Sequence, residues 1–229
     1  VDVLCLDKTG TITTGNMQVT EVIRLDEEFS PEPALSAISS ALGAENQTMA
    51  AVARKFSEGT GMNCIQTEPF SSARKWSAAQ FEKAGTLVLG APNFVLSADK
   101  YAEINQICTE YSQKGMRVLL LAQSNEALPD RALPASLSAK ALVMLSDEIR
   151  DSAPSTLDYF RRQGVELRVI SGDDPVTVSN VAAKAGLPDA GNYVDLSSLS
   201  DDEIDDAAQK YTVFGRVTPS RKLALVKSL

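Results

Sequence analysis

The sequence of 229 residues contains no histidine and only three cysteines. The lack of histidine removes the commonest general base, the Ser-His and Cys-His nucleophile pairs and most zinc sites. Any chemistry must therefore use carboxylates, lysine, arginine or a bound metal. The cysteines Cys5, Cys64 and Cys108 are widely spaced and odd in number, which indicates neither a disulfide framework nor a metal-ligand pattern and fits a reducing compartment.

Excess positive charge and long apolar runs are also missing. The formal net charge is -8, which disfavours a nucleic-acid partner. No stretch approaches the roughly 20 apolar residues that a membrane helix needs, and the first residues lack the basic start of a signal peptide. Because the chain begins without Met inside an apparent strand and ends in the amphipathic pattern KLALVKSL, we expect a piece of a longer protein. We also expect this piece to be soluble and monomeric.

Periodicity predicts an α/β fold that is interrupted by a second domain. The apolar run 1–7 is typical of a buried parallel strand, and strand–helix alternation resumes after about residue 140, which predicts a parallel sheet. We therefore expect a discontinuous domain of residues 1–16 and 146–229, with residues 17–145 inserted as an α+β domain. Other predicted elements include helices between 31 and 61, over 99–114 and over 195–210, and strands around Phe70, over 76–81, over 86–90 and over 117–124.

Asp7 is the leading candidate for a chemical role. It ends the first predicted strand, and ligands of open parallel sheets bind at the carboxyl ends of the strands. The next residues, Lys8, Thr9, Gly10 and Thr11, offer a cation, two hydroxyls and a turn whose N–H groups can form a nest for phosphate. This setting suits a carboxylate that accepts a phosphoryl group, and the alternative is an Asp that only caps or stabilises a turn.

The run DKTGT resembles the phosphorylation motif of P-type cation-transporting ATPases, within the haloacid dehalogenase-like superfamily, and the similarity extends from Asp7 to Met17. The resemblance implies an α/β haloacid dehalogenase-like phosphorylation domain, incomplete at its C-terminus, with an inserted nucleotide-binding domain built on an antiparallel sheet. It also implies that ATP is the substrate, that Mg²⁺ is bound by Asp7 and the Thr9 carbonyl, and that the γ-phosphoryl group is transferred to Asp7.

Later segments resemble further motifs of that phosphorylation domain. The run SGD is similar to T-G-D, which implies that Ser171 and the Gly172 N–H bind the phosphoryl oxygens. Lys222 matches the basic residue that neutralises phosphate charge. The run DEIR matches the D-P-P-R hinge at Asp147 and Arg150 but not at the two residues between them.

The inserted segment resembles the nucleotide-binding domain of the same family. The run FSSARK is similar to F-S-x-x-R-K, which implies that Phe70 stacks on adenine with Arg74 and Lys75 nearby. The pattern G-x-R-x-L-x-x-A implies a phosphate contact for Arg117. The run GAP resembles K-G-A-P and implies a role for Gly90.

Two positions of the inserted segment depart from the family pattern. Leu89 stands where the lysine of K-G-A-P is expected, so a charged contact there is in doubt. A glutamate of the family's nucleotide domain has no secure match, and Glu45 and Thr48 are both candidates.

Thr9 distinguishes the chain from many soluble phosphatases of the superfamily, which carry a second Asp at this position as general acid and base. Thr9 cannot do acid–base work near neutral pH, so we expect a long-lived phosphoenzyme. Two other classes remain open: a soluble phosphatase with an inserted cap, and a nucleotide-binding module without turnover. Because the magnesium-binding motif G-D-G-x-N-D does not follow Lys222, we expect this piece to bind adenine nucleotide weakly and to autophosphorylate poorly or not at all.

The resemblance also implies a parent protein in the cell membrane, with several membrane helices and with this segment facing the cytoplasm. The transported cation and the membrane are then partners of the parent protein. The heavy-metal branch of the family has a His-Pro pair in its nucleotide domain, which a chain without histidine cannot supply. The motifs F-S-x-x-R-K and G-A-P favour the branch that moves Ca²⁺ and other hard cations.

Overall fold

A computed structural model describes residues 2–228, which form two compact units. The first unit contains residues 2–16, 113–115 and 147–228, and the second contains residues 17–112 and 116–146. The strands are β1 (Val3–Asp7), β2 (Thr13–Arg24), β3 (Cys64–Glu68), β4 (Trp76–Phe81), β5 (Gly85–Gly90), β6 (Arg117–Ser124), β7 (Ser138–Ile149), β8 (Glu166–Ile170), β9 (Tyr193–Asp195) and β10 (Val213–Gly215). The helices are α1 (Pro31–Leu42), α2 (Gln47–Lys55), α3 (Pro92–Val95), α4 (Ala98–Gln113), α5 (Ala153–Arg162), α6 (Pro175–Lys184), α7 (Ile204–Lys210) and α8 (Pro219–Ser228).

The first unit has a four-stranded parallel sheet in the order β1-β8-β10-β9. Successive residues of a strand point to opposite faces, and here they enter different apolar clusters. Val169 packs in one cluster with Val178, and Ile170 packs in the other with Leu196 and Phe214. The sheet is therefore covered on both faces, as parallel sheets generally are, and the predicted α/β architecture is confirmed.

The second unit is built on a sheet in the order β2-β7-β6-β5-β4-β3, in which the pairings from β3 to β7 are antiparallel. Alternate residues of β6 again enter two clusters. Leu121 packs with Leu35 of α1, whereas Leu120 packs with Ile104 of α4. The predicted antiparallel sheet with helices is confirmed. Helix α1 packs against one apolar face of this sheet, and helix α4 packs against the other.

The helix boundaries follow local sequence signals. Helix α1 begins with Pro31 and is followed by Gly43, whose φ of 70° suits the glycine that commonly ends a helix. Helix α6 begins after Asp174, whose carboxylate accepts hydrogen bonds from the backbone N–H groups of Val176 and Thr177. Within residues 2–228, every helix falls short of the length and hydropathy that crossing a lipid bilayer requires.

The strand predicted around Phe70 is wrong. Strand β3 ends at Glu68, and Phe70 lies in the loop between β3 and β4 with 46% of its surface exposed. Pro69 comes directly after Glu68 and has no backbone N–H to donate to a neighbouring strand. The proline therefore ends the strand and leaves the aromatic ring on a loop.

The single helix predicted over residues 195–210 is also wrong. The segment begins with β9 and two short turns, and α7 starts only at Ile204. The Asp195 carboxylate accepts a hydrogen bond from the Ser197 N–H at 2.9 Å, and Ser200 forms a capping box with Glu203. Short polar side chains that bond to nearby backbone compete with helix formation, which explains the late start.

Candidate functional site

Asp7 lies at the carboxyl end of β1, where its backbone is paired with Ile170 at the end of β8. Its carboxylate accepts hydrogen bonds from Lys222 Nζ at 2.7 Å and from the Thr9 N–H at 3.2 Å. The side chains of Asp7 and Lys222 are 42% and 46% exposed. The fold thus brings a cation of α8 to a carboxylate that stays open to ligands, although 215 positions separate the two residues.

The turn Lys8–Ile12 follows Asp7 and leaves Thr9, Gly10 and Thr11 exposed. Gly10 has a φ of 78°, a conformation that L-residues rarely adopt, so glycine is required here by the backbone and not by lack of space. The guanidinium of Arg150 donates to the Gly10 carbonyl at 2.8 Å. Arg150, predicted as a hinge residue, therefore holds the turn that follows Asp7.

Ser171 follows the last residue of β8, so the strand register places it at the same edge of the sheet as Asp7. It is buried, its N–H donates to the Phe214 carbonyl at 3.0 Å, and its hydroxyl oxygen accepts from the Asp173 N–H at 3.2 Å. Gly172 is exposed beside it, and a Cβ at Gly172 would make only an ordinary contact. A hydrogen bond within the loop therefore orients the Ser171 hydroxyl, and the Gly172 residue beside it is exposed to solvent.

Lys8 has a different environment from the one predicted. The residue is 3% exposed, and its Nζ lies 2.5 Å from an oxygen of Asp147 and 2.5 Å from an oxygen of Asp173. Burial alone would lower the pKa of Lys8, but its hydrogen bonds and charge interactions with the two carboxylates outweigh burial and raise the pKa above its ordinary value. Lys8 links the turn to the segments that carry Asp147 and Asp173. Because its ammonium group is buried in these contacts, Lys8 does not belong to the exposed phosphate site.

The raised pKa of Lys8 predicts a loss of stability at high pH. A group with a raised pKa in the folded state stabilises the fold fully below its ordinary pKa, here 10.5, and the contribution disappears as pH rises through the folded-state value. We expect the free energy of unfolding to fall more steeply above this pH in the wild type than in Lys8→Met. Urea unfolding at a series of pH values measures the difference, and parallel curves would contradict the role of the ammonium group.

The second unit contains a cavity of 710 Å³. Phe70, Lys75, Gly90 and Arg117, which were all predicted to bind nucleotide, line it, and Leu89 is part of its apolar wall. The predicted partner Arg74 is not among the described lining residues. Its guanidinium forms an ion pair with Glu68 and lies 5.0 Å from the centre of the Trp76 ring, so it has a structural environment of its own.

Gly90 is required by the neighbouring strand. It is paired with Trp76 of β4, and a Cβ at Gly90 would lie 2.4 Å from the Trp76 Cβ and 2.8 Å from the Lys75 carbonyl oxygen. Such distances are far shorter than van der Waals contact. The close approach explains this glycine without any ligand.

The polar side of the cavity includes the first turn of α2. Thr48 accepts a hydrogen bond from Arg117 Nη1 at 2.6 Å, and Asn46 caps the helix by accepting from the Met49 N–H at 2.9 Å. Asn46 and Thr48 line the cavity, whereas Glu45 is not among the described lining residues. Sequence reasoning missed Asn46, although an Asn directly before an amphipathic helix is a typical N-cap signal.

No group of three or more Asp, Glu, Cys or His side chains in the described part of the chain could hold a metal ion by itself. Asp7 is a carboxylate at the carboxyl edge of the parallel sheet, and 42% of its side chain is exposed. Mg²⁺ at phosphate sites commonly uses one or two carboxylates together with phosphate oxygens and water. Asp7 and the backbone of the turn therefore fit an ion that arrives with its phosphate.

Comparisons with known proteins place the whole chain in one family. The haloacid dehalogenase-like hydrolase family matches residues 1–229. The chain is 42% identical over its full length to a probable cation-transporting ATPase, exp7, of Streptococcus pneumoniae, and 38% identical to the calcium-transporting ATPase CtpE of Mycobacterium bovis. It spans about 29% of the length of each of these relatives.

A solved structure has a similar fold. It is the crystal structure of a zinc-transporting PIB-type ATPase, which superposes with a TM-score of 0.69 at 18% identity. The match covers the whole of this chain and 34% of that one. At this identity the likeness shows the fold alone.

Proposed function

Because the chain belongs to the haloacid dehalogenase-like hydrolase family, we propose that it is the phosphorylation and nucleotide-binding part of a cation-transporting P-type ATPase. The observation that carries the proposal is the exposed Asp7 carboxylate, held by Lys222 at the carboxyl end of a parallel sheet. Its similarity over the full chain to cation-transporting ATPases supports the same conclusion.

Asp7 acts as the nucleophile in this proposal. One carboxylate oxygen forms a bond to the γ-phosphorus of ATP while the bond from that phosphorus to the β,γ-bridging oxygen breaks, and ADP leaves with the electron pair. Lys222 then turns from the free carboxylate to the phosphoryl oxygens and neutralises their charge. The Ser171 hydroxyl and the Gly172 N–H donate to the same oxygens, which is the electrostatic stabilisation that phosphoryl transfer needs.

Thr9 determines the lifetime of the phosphorylated state. ADP leaves without needing a strong acid, so Asp7 can be phosphorylated although no general acid stands at position nine. Hydrolysis needs an activated water, and the Thr9 hydroxyl is not a base at neutral pH. The aspartyl-phosphate should therefore persist, as a transport cycle requires.

Mg²⁺ would be held by Asp7 and the Thr9 carbonyl, together with phosphate oxygens of the nucleotide. When bound, the ion neutralises charge on the transferred group. The residues of this chain position the carboxylate for it: the Thr9 N–H and Lys222 hold Asp7, and Arg150 holds the turn.

The parent protein is proposed to be a multi-pass membrane protein with this segment on its cytoplasmic side. Two of the relatives named above support transport of a cation, and one of them is named for calcium. A calcium-like hard cation is therefore the proposed cargo. ATP is the proposed substrate and phosphoryl donor.

Phe70→Ala is expected to weaken binding of ATP to the chain by about five- to a hundredfold, since stacking of one base on an aromatic ring contributes roughly 1–3 kcal/mol. Nucleotide titration followed by NMR chemical shifts or calorimetry measures the change. Phe94→Ala is the matched control, because Phe94 is exposed to 47%, similar to Phe70, and is not among the described residues that line the cavity. Equal affinity of both variants would exclude stacking on Phe70.

A further inference from the structure

The segment that begins at Asp147 contacts the turn after the nucleophile at several points. Asp147 holds the Lys8 ammonium group at 2.5 Å. The guanidinium of Arg150 donates to the Gly10 carbonyl at 2.8 Å, and its backbone N–H donates to the Ile12 carbonyl at 3.0 Å. All of these residues belong to the first unit, and their contacts join the two segments from the first residue of the turn to its last.

Glu148 extends these contacts to the residues that follow the turn. Its carboxylate accepts a hydrogen bond from the Thr14 hydroxyl at 2.7 Å and lies 3.4 Å from the side-chain nitrogen of Asn16. Thr14 Oγ1 also accepts from the Asn16 N–H at 3.1 Å. Glu148 and Thr14 are both half-buried, so water competes only in part for their hydrogen bond. We call these three residues, which all belong to the first unit, the Glu148 cluster.

The Glu148 cluster lies where this chain departs from the D-P-P-R pattern. Proline fixes φ by its ring and has no backbone N–H, so two prolines would restrict the segment through its torsions. In this chain the two positions are Glu148 and Ile149, and strand β7 continues through both of them. Pairing with β2 and a hydrogen bond to a charged carboxylate, one of the stronger kinds in proteins, restrict the segment instead.

We propose that Glu148 is a positioning residue for the phosphorylation of Asp7. It holds the residues that leave the turn, while Arg150 holds the turn itself and the Thr9 N–H holds the Asp7 carboxylate. Attack on phosphorus requires such placement, since a shift of about 1 Å can lower a rate by about a hundredfold. The inference rests on the proposed phosphorylation of Asp7 and adds a residue that the motif does not contain.

The test measures transfer of phosphate from γ-labelled ATP in the full-length protein that contains this chain, in a single turnover stopped with acid. Glu148→Ala is expected to lower the rate at saturating ATP by about tenfold, the contribution of one hydrogen bond to a charged group. The ATP concentration that gives half the maximal rate should not change, because Glu148 is not among the described residues that line the nucleotide cavity. Glu148→Gln should recover most of the rate, since its amide oxygen can still accept from Thr14.

Thr14 provides the second half of a double-mutant cycle. Thr14→Val removes the hydroxyl donor with little change of shape and should slow the reaction as Glu148→Ala does. The double variant should be no slower than either single variant, because both remove the same hydrogen bond. Glu166→Ala is the matched control: it removes a carboxylate that contacts Arg168 at 2.9 Å, at the opposite end of β8 from the site, and should keep the wild-type rate.

The outcomes distinguish this inference from the proposed function. A wild-type rate in Glu148→Ala, or losses that add fully in the double variant, would overturn the positioning role and leave phosphorylation of Asp7 intact. A loss that only follows the unfolded fraction, measured by circular dichroism, would also overturn it. Absence of label in the wild type would overturn the proposed function itself. Slow transfer in both single variants, recovered in Glu148→Gln and not additive, would support the inference.

Discussion

Asp7→Asn is expected to abolish covalent incorporation of phosphate from γ-labelled ATP in the full-length protein that contains this chain. The amide of Asn is nearly isosteric with the carboxylate but is not a nucleophile, so no acyl-phosphate can form. Acid-quenched protein separated on an acidic gel reports the label, and loss of the label with hydroxylamine identifies an acyl-phosphate. We expect label in the wild type and none in the variant.

Asp202→Asn is the matched control for this experiment, because Asp202 is an exposed aspartate of the same unit at a distance in sequence from every motif. It should keep the wild-type label. Stable label in Asp7→Asn would show that another residue accepts the phosphoryl group. Rapid turnover of a generic phosphate ester by the wild type would instead favour a soluble phosphatase with an inserted cap.

Lys8→Met is expected to lower the free energy of unfolding by about 2–4 kcal/mol. Lys8 is buried between two carboxylates, and its removal leaves Asp147 and Asp173 facing each other without the cation that both contact at 2.5 Å. Methionine fills much of the same space, so the loss reports the charge. Chemical denaturation measures it, with circular dichroism following the unfolding of both units.

Lys222→Met is the matched control for stability. It removes the same functional group from an ion pair whose two side chains are 46% and 42% exposed, and solvent-exposed pairs contribute about 0–1 kcal/mol. A small and equal loss in both variants would contradict the structural role of Lys8. Adding Asp173→Asn to Lys8→Met should recover part of the lost stability, because it removes one of the two facing charges.

The sequence is most informative where the determining interactions are local. Helix ends at Gly43 and Asp174 follow from glycine and capping chemistry, and the alternation of strands and helices predicts the parallel sheet correctly. Local signals were also present where the prediction is wrong. Pro69 ends β3 before Phe70, and the pairing of Ser200 with Glu203 delays α7, so both element boundaries are encoded by neighbouring residues.

Long-range contacts could not be predicted in the same way. Lys8 and Asp147 are 139 positions apart, and nothing near Lys8 in the sequence distinguishes a buried ion pair from a phosphate contact. Arg74 is a different case, because Glu68 and Trp76 are close to it in the sequence but contact its guanidinium only in the folded loop. The family resemblance identifies residues by motif, whereas the fold determines which of their side chains remain available to a ligand.

The pairing of β1 with β8 has a consequence for synthesis on the ribosome. Strand β1 is synthesised well before β8, because Glu166, the partner of Val3, is made only after the second unit. At about 5–20 residues per second, this delay is roughly 10–30 s. During that time an apolar strand is without its partner, while the second unit already has the residues that it needs to fold. We expect the strand that carries Asp7 to depend on chaperones in this interval, and mutations that slow folding of the second unit to prolong it.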